Sequence, residues 1–90
     1  LALNGAAQVN TGVPPPVLTL VGVHAAMCQV LDAQGLHVGN LKLIGGRWKF
    51  KAVGYGPDGE VVPGGGPLTE RHNTVFDRLD ATDVSAGLCP

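Results

Sequence analysis

Ninety residues with a formal net charge of −1 leave room for one domain, and a hydrophobic share of 44% against 14% charged excludes a chain too polar to bury a core. The near-neutral balance excludes a global field that would gather nucleic acid or an acidic membrane. No unbroken apolar run approaches the ~18 residues of a membrane-spanning helix, so no membrane partner is expected. Fourteen glycines and seven prolines suit a turn-rich sheet better than a helical bundle. Aromatic residues are scarce, which makes Trp48, Phe50, Tyr55 and Phe76 the expected anchors of the core.

Residues 1–16 read as a flexible N-terminal arm, because Asn4-Gly5, Asn10-Thr11-Gly12 and Pro14-Pro15-Pro16 are turn or extended signals without periodicity. Residues 17–90 are expected to form a single α+β domain. Residues 17–23 (VLTLVGV) are short and rich in β-branched side chains, which predicts a strand. Residues 24–32 (HAAMCQVLD) admit a helical turn, but the following Ala33-Gln34-Gly35 turn and renewed apolar run favour a strand ending near Asp32. Residues 36–44 (LHVGNLKLI) are the next strand; their polar residues do not keep one phase, and Gly39 marks a bulge that resets it.

Gly45-Gly46 is a two-residue hairpin signal. Residues 47–55 (RWKFKAVGY) then alternate most clearly, with Trp48, Phe50 and Ala52 on one face and Arg47, Lys49 and Lys51 on the other. Gly56-Pro57-Asp58-Gly59 is a turn, and residues 60–62 a short return strand ended by Pro63. After the Gly64-Gly65-Gly66-Pro67 punctuation, Leu68, His72, Val75, Phe76 and Leu79 recur at helical spacing and predict the main helix over residues 68–79. Asp77 and Asp80 oppose the dipole at its end and predict a stop near Asp80, with residues 83–88 adding one more turn. The expected architecture is an antiparallel β-meander of about four strands with a C-terminal helix packed on one face.

Charge is unevenly spread. Residues 36–56 carry Lys42, Arg47, Lys49 and Lys51 and no acid, whereas residues 57–90 are acid-rich. The basic row is a candidate binding face for nucleic-acid phosphates, set against an ordinary solvated face neutralised by the acidic stretch. The Gly64-Gly65-Gly66 run with Thr69 is a weaker candidate, an anion-holding loop at a helix start, set against a plain tight connection. Cys28 and Cys89 lie at no metal or redox spacing. They read as independent thiols of a cytoplasmic protein or, if paired, as a disulfide of an oxidising compartment. His24, His37 and His72 follow no ligand pattern, and Cys28 with one of them would make a nucleophile pair lacking a nucleophile turn. No metal or cofactor is expected.

Gly46-Arg47-Trp48, Tyr55, Asp58-Gly59 and Thr69 give residues 45–79 a partial resemblance to the three-strand-plus-helix modules at the N-termini of phage integrases. That resemblance implies DNA arm binding through the sheet face. The integrase modules are strongly basic, and this chain is not. The whole chain looks more like the short uncharacterised proteins of bacteria, a likeness that implies no activity. The expected role is a non-catalytic protein-binding or structural module whose partner is another protein or a second copy. The alternatives are a nucleic-acid-binding accessory domain using Lys42, Arg47, Lys49 and Lys51, and a small enzyme using Cys28 and a histidine.

Overall fold

A computed structural model describes residues 17–89; the expected arm over residues 1–16 lies outside them. Strands β1 (Thr19–His24), β2 (Met27–Leu31), β3 (His37–Ile44), β4 (Arg47–Tyr55) and β5 (Val61–Pro63) run as an antiparallel meander in spatial order. A 3₁₀ turn (Thr69–Arg71), a two-residue strand β6 (Val75–Phe76) paired with β4, and helix α1 (Ala81–Leu88) complete the chain. The chain is α+β, an antiparallel sheet with one C-terminal helix.

The turns follow from local chemistry. Gly45 and Gly46 both take positive φ, the geometry of the tight turn that continues the strand twist, and Ile44 pairs with Arg47 across it. Asp32 closes the β2–β3 connection by accepting the amides of Gln34 and Leu36 at 2.9 Å each. The β1–β2 turn uses Ala25-Ala26, which carries no turn signal; the His24 ring closes it by accepting the Ala26 amide at 3.2 Å. For that reason the strand expected over residues 24–32 begins three residues later, at Met27.

The core lies between the inner face of the sheet and α1. Cys28, Val30, Val38, Leu41, Phe50 and Ala52 from the sheet meet Leu18 and the helix residues Val84 and Leu88. Trp48 and Phe76 pack against this cluster half-buried, but Tyr55 is 52% exposed and anchors nothing there. Val38 and Leu41 share the core although an odd separation sends strand neighbours to opposite faces. The β2–β3 register slips between Val30 and Leu31, opposite Val38-Gly39, so the expected bulge at Gly39 is what brings both residues inward. A Cβ at Gly39 would collide with the Phe50 ring and approach the Lys51 carbonyl oxygen to 2.7 Å, so the largest core side chain rests on a glycine.

The expected helix over residues 68–79 does not form. That stretch is a single 3₁₀ turn and a short strand; its backbone and the His72 ring serve β4, while Leu68 and Phe76 still pack against the core. Asn73 adopts φ 75°, a left-handed value that no α-helix continues through. Asp80, expected to stop a helix, starts one: its carboxylate accepts the amides of Thr82 at 2.8 Å and Asp83 at 3.1 Å as the N-cap of α1. Asp83 in the first turn then suits the dipole. Within α1, Val84, Ser85 and Leu88 face inward, and the buried Ser85 hydroxyl accepts the Leu18 amide at 3.0 Å.

Four substitutions separate these determinants. Gly39→Ala is expected to destabilise the fold by about 1–3 kcal/mol through overpacking against Phe50, whereas Gly22→Ala, whose Cβ meets nothing within 4 Å, should stay within about 0.5 kcal/mol. Asp80→Ala should cost about 1 kcal/mol and Asp80→Asn much less. Urea midpoints at constant m-value measure all four.

Candidate functional site

The free edge of β4 is saturated from end to end by the chain that follows it. Tyr55, Gly54 and Val53 pair with β5, and Trp48 and Lys49 pair with β6. Between them the Phe50 amide donates to Thr74 at 2.8 Å, and the Asn73 amide donates to Phe50 at 2.7 Å. The Ala52 amide has no strand opposite; it donates to Nδ1 of His72 at 3.0 Å, so an imidazole takes a carbonyl's place in the ladder. That bond leaves the ring proton on Nε2.

On the outer face, away from α1, the alternation of β3 and β4 sets out Asn40 and Lys42 beside Lys49 and Lys51. Lys42 stands directly opposite Lys49, and Asn40 opposite Lys51. The next neighbours in the Lys42–Lys49 row are Met27 and Val75. Lys51 donates to the Asn73 side-chain oxygen at 2.6 Å. Among the described residues no carboxylate pairs with Lys42, Lys49 or Lys51. Like charges directly opposite on a ladder destabilise it, so this row costs the sheet stability.

The acidic stretch neutralises this face only at its margin. Arg47, the fourth residue of the basic row, meets Asp77 at 3.5 Å in an exposed pair. Asp83 pairs with Arg78 at 2.9 Å, which raises the Arg78 pKa further, and Asp80 is spent on the helix cap. Beside the lysines lies a cleft of about 290 Å³ with a floor of Val53, Val61 and Pro63 and a rim of Asn40, Lys42, Lys51 and His72. The sequence signal for the lysines was their alternation. Nothing in the sequence placed His72 or Pro63 next to them.

His37, at the far end of β3, bridges Asn40 and Tyr55: Nε2 lies 2.8 Å from the Asn40 side-chain oxygen and Nδ1 2.7 Å from the Tyr55 hydroxyl. With the amide oxygen accepting, Nε2 carries the proton and Tyr55 donates to Nδ1. The three histidines therefore do three separate local jobs, and among the described residues no group of three His, Cys, Asp or Glu side chains is placed to hold a metal.

The glycine run does not lead into a helix N-terminus. Gly66 takes φ 86° and lies against Gly54, whose added Cβ would come within 2.6 Å of the Gly66 nitrogen, so the loop passes backbone to backbone over β4. Gly64 also takes positive φ, and a Cβ on Gly65 would touch Val62 at 3.0 Å. The Thr69 hydroxyl is occupied, donating to the Gly64 carbonyl at 2.6 Å. These residues close a connection.

Cys28 and Cys89 are free thiols. Cys28 belongs to the core cluster, where burial pushes its thiol pKa up, opposed in part by a backbone hydrogen bond at Leu41. No histidine shares a hydrogen bond with it among the described residues. No family model, no curated protein and no solved structure matches this chain.

A raised thiol pKa in the folded state leaves stability intact below the ordinary thiol value, 9.0, and removes it as pH climbs through the folded value. Urea stability of the wild type should therefore fall more steeply as pH rises above 9.0 than that of Cys28→Ala. In the native protein iodoacetamide should label Cys89 well before Cys28.

Proposed function

We propose that this chain is a non-catalytic binding module that docks an acidic segment of a partner protein on the outer face of its sheet. The observation that carries this reading is the placement of Lys42, Lys49 and Lys51 side by side on the open face with no carboxylate partner among the described residues. A face that costs the fold stability by like-charge contact has its compensation in an anionic ligand. The apolar cleft beside the lysines favours a protein segment over a nucleic-acid backbone, since bare phosphates have no use for Val53, Val61 and Pro63. Three lysines also release few counterions, a weak electrostatic term for nucleic acid.

A fluorescent Glu-rich peptide should bind at low salt and weaken as salt rises from about 50 to about 200 mM, where screening shortens the reach of exposed charges. Lys49→Thr should weaken that binding about tenfold or more while leaving the melting temperature unchanged or raised, because it relieves the repulsion at Lys42. An oligonucleotide that binds more tightly than the peptide would replace the protein partner by nucleic acid. Absence of binding to either at low salt would overturn the reading.

A further inference from the structure

The rim of the outer-face cleft consists of donors. Asn40 has its side-chain oxygen accepting the Nε2 proton of His37, and its NH2 group remains to donate. His72 accepts from Ala52 through Nδ1 and so presents Nε2–H. Lys51 gives one of its three protons to Asn73 and keeps two, and Lys42 keeps all three among the described residues. These four side chains line one cleft over the apolar floor of Val53 and Pro63. A rim that only donates, fixed at two positions by hydrogen bonds made elsewhere, matches a group that only accepts.

We propose that this cleft captures the C-terminal carboxylate of the partner chain, with the partner's last, apolar side chain on the Val53–Pro63 floor. The inference rests on the acidic-segment reading and narrows it. A carboxylate at a chain end combines two acceptor oxygens with an apolar side chain on the adjacent carbon, which is the pairing of rim and floor found here. A glutamate side chain within a segment offers the charge but leaves the apolar floor uncovered. About 290 Å³ admits one aliphatic residue and its carboxylate, and the Lys42–Lys49 row continues from the cleft across the sheet to meet acidic residues upstream of that end.

Three peptides decide it, titrated against the whole chain by calorimetry: acetyl-Glu-Glu-Glu-Ala-Leu as the free acid, the same sequence as the C-terminal amide, and the free acid with its final Leu replaced by Gly. The free acid should bind about tenfold or more tightly than the amide, and the Gly-ended peptide should lose several-fold. Lys51→Met, which keeps an unbranched stem and removes the ammonium, should bring the ratio of acid to amide affinity towards one. Equal binding of acid and amide by the wild type would overturn the terminal capture and leave the acidic-segment reading standing. Failure of all three peptides at low salt would remove both. Hexanoate binding as tightly as the free-acid peptide would assign the cleft to a small apolar acid and overturn the partner-chain assignment.

Discussion

The hydrogen-bonding capacity of β4 is the constraint on which the rest of this protein depends. Its inner edge is fully paired to β3 from Gly39–Ala52 to Ile44–Arg47, and its outer edge would be a bare row of amides and carbonyls if the next twenty-odd residues did not return to it. Buried or half-buried backbone groups left without partners cost about as much as a lost hydrogen bond each. The chain from β5 to β6 therefore follows β4 closely, and where the two short strands leave a gap the imidazole of His72 fills it. That need outweighs the modest helical propensity of residues 68–79.

Placing Phe50 on Gly39 has consequences on both sides of the sheet. On the inner side the ring fills the space a side chain at Gly39 would take and reaches Leu41, under Val84 and Leu88. On the outer side the bulge at Val38-Gly39 ends the regular ladder, and His37 ties β3 to β4 instead through Tyr55 and back to Asn40. His37, next to the bulge that seats Val38 in the core, holds the side-chain oxygen of Asn40, which lines the cleft.

The outer face carries its charge at the expense of the fold. A designed sheet would alternate signs across the Lys42–Lys49 pair and gain from each contact. Here Asp80 caps α1, Asp83 pairs with Arg78 and Asp77 meets the exposed Arg47 at the margin of the face. The lysines remain unmatched among the described residues, and the proposed acidic partner would supply their counter-charge.

By itself the sequence determined the five strands of the meander, the Gly45-Gly46 hairpin, the inward set of Trp48, Phe50 and Ala52 and the outward set of lysines, because alternation and turn chemistry act over two to four neighbouring residues. It also held the cap of α1, since Asp80 followed by Asp83 before Val84 and Leu88 is an N-terminus signal; the stronger-looking stripe over residues 68–79 masked it. Only the tertiary structure decided that this stripe would serve the edge of β4. It also decided that Tyr55 would face solvent and hydrogen-bond to His37, and that His72 and Pro63 would meet Asn40 and Lys51 around one cleft. Those outcomes depend on an unpaired strand edge and on hydrogen bonds between residues 18 to 22 positions apart, and no local period in the chain records either.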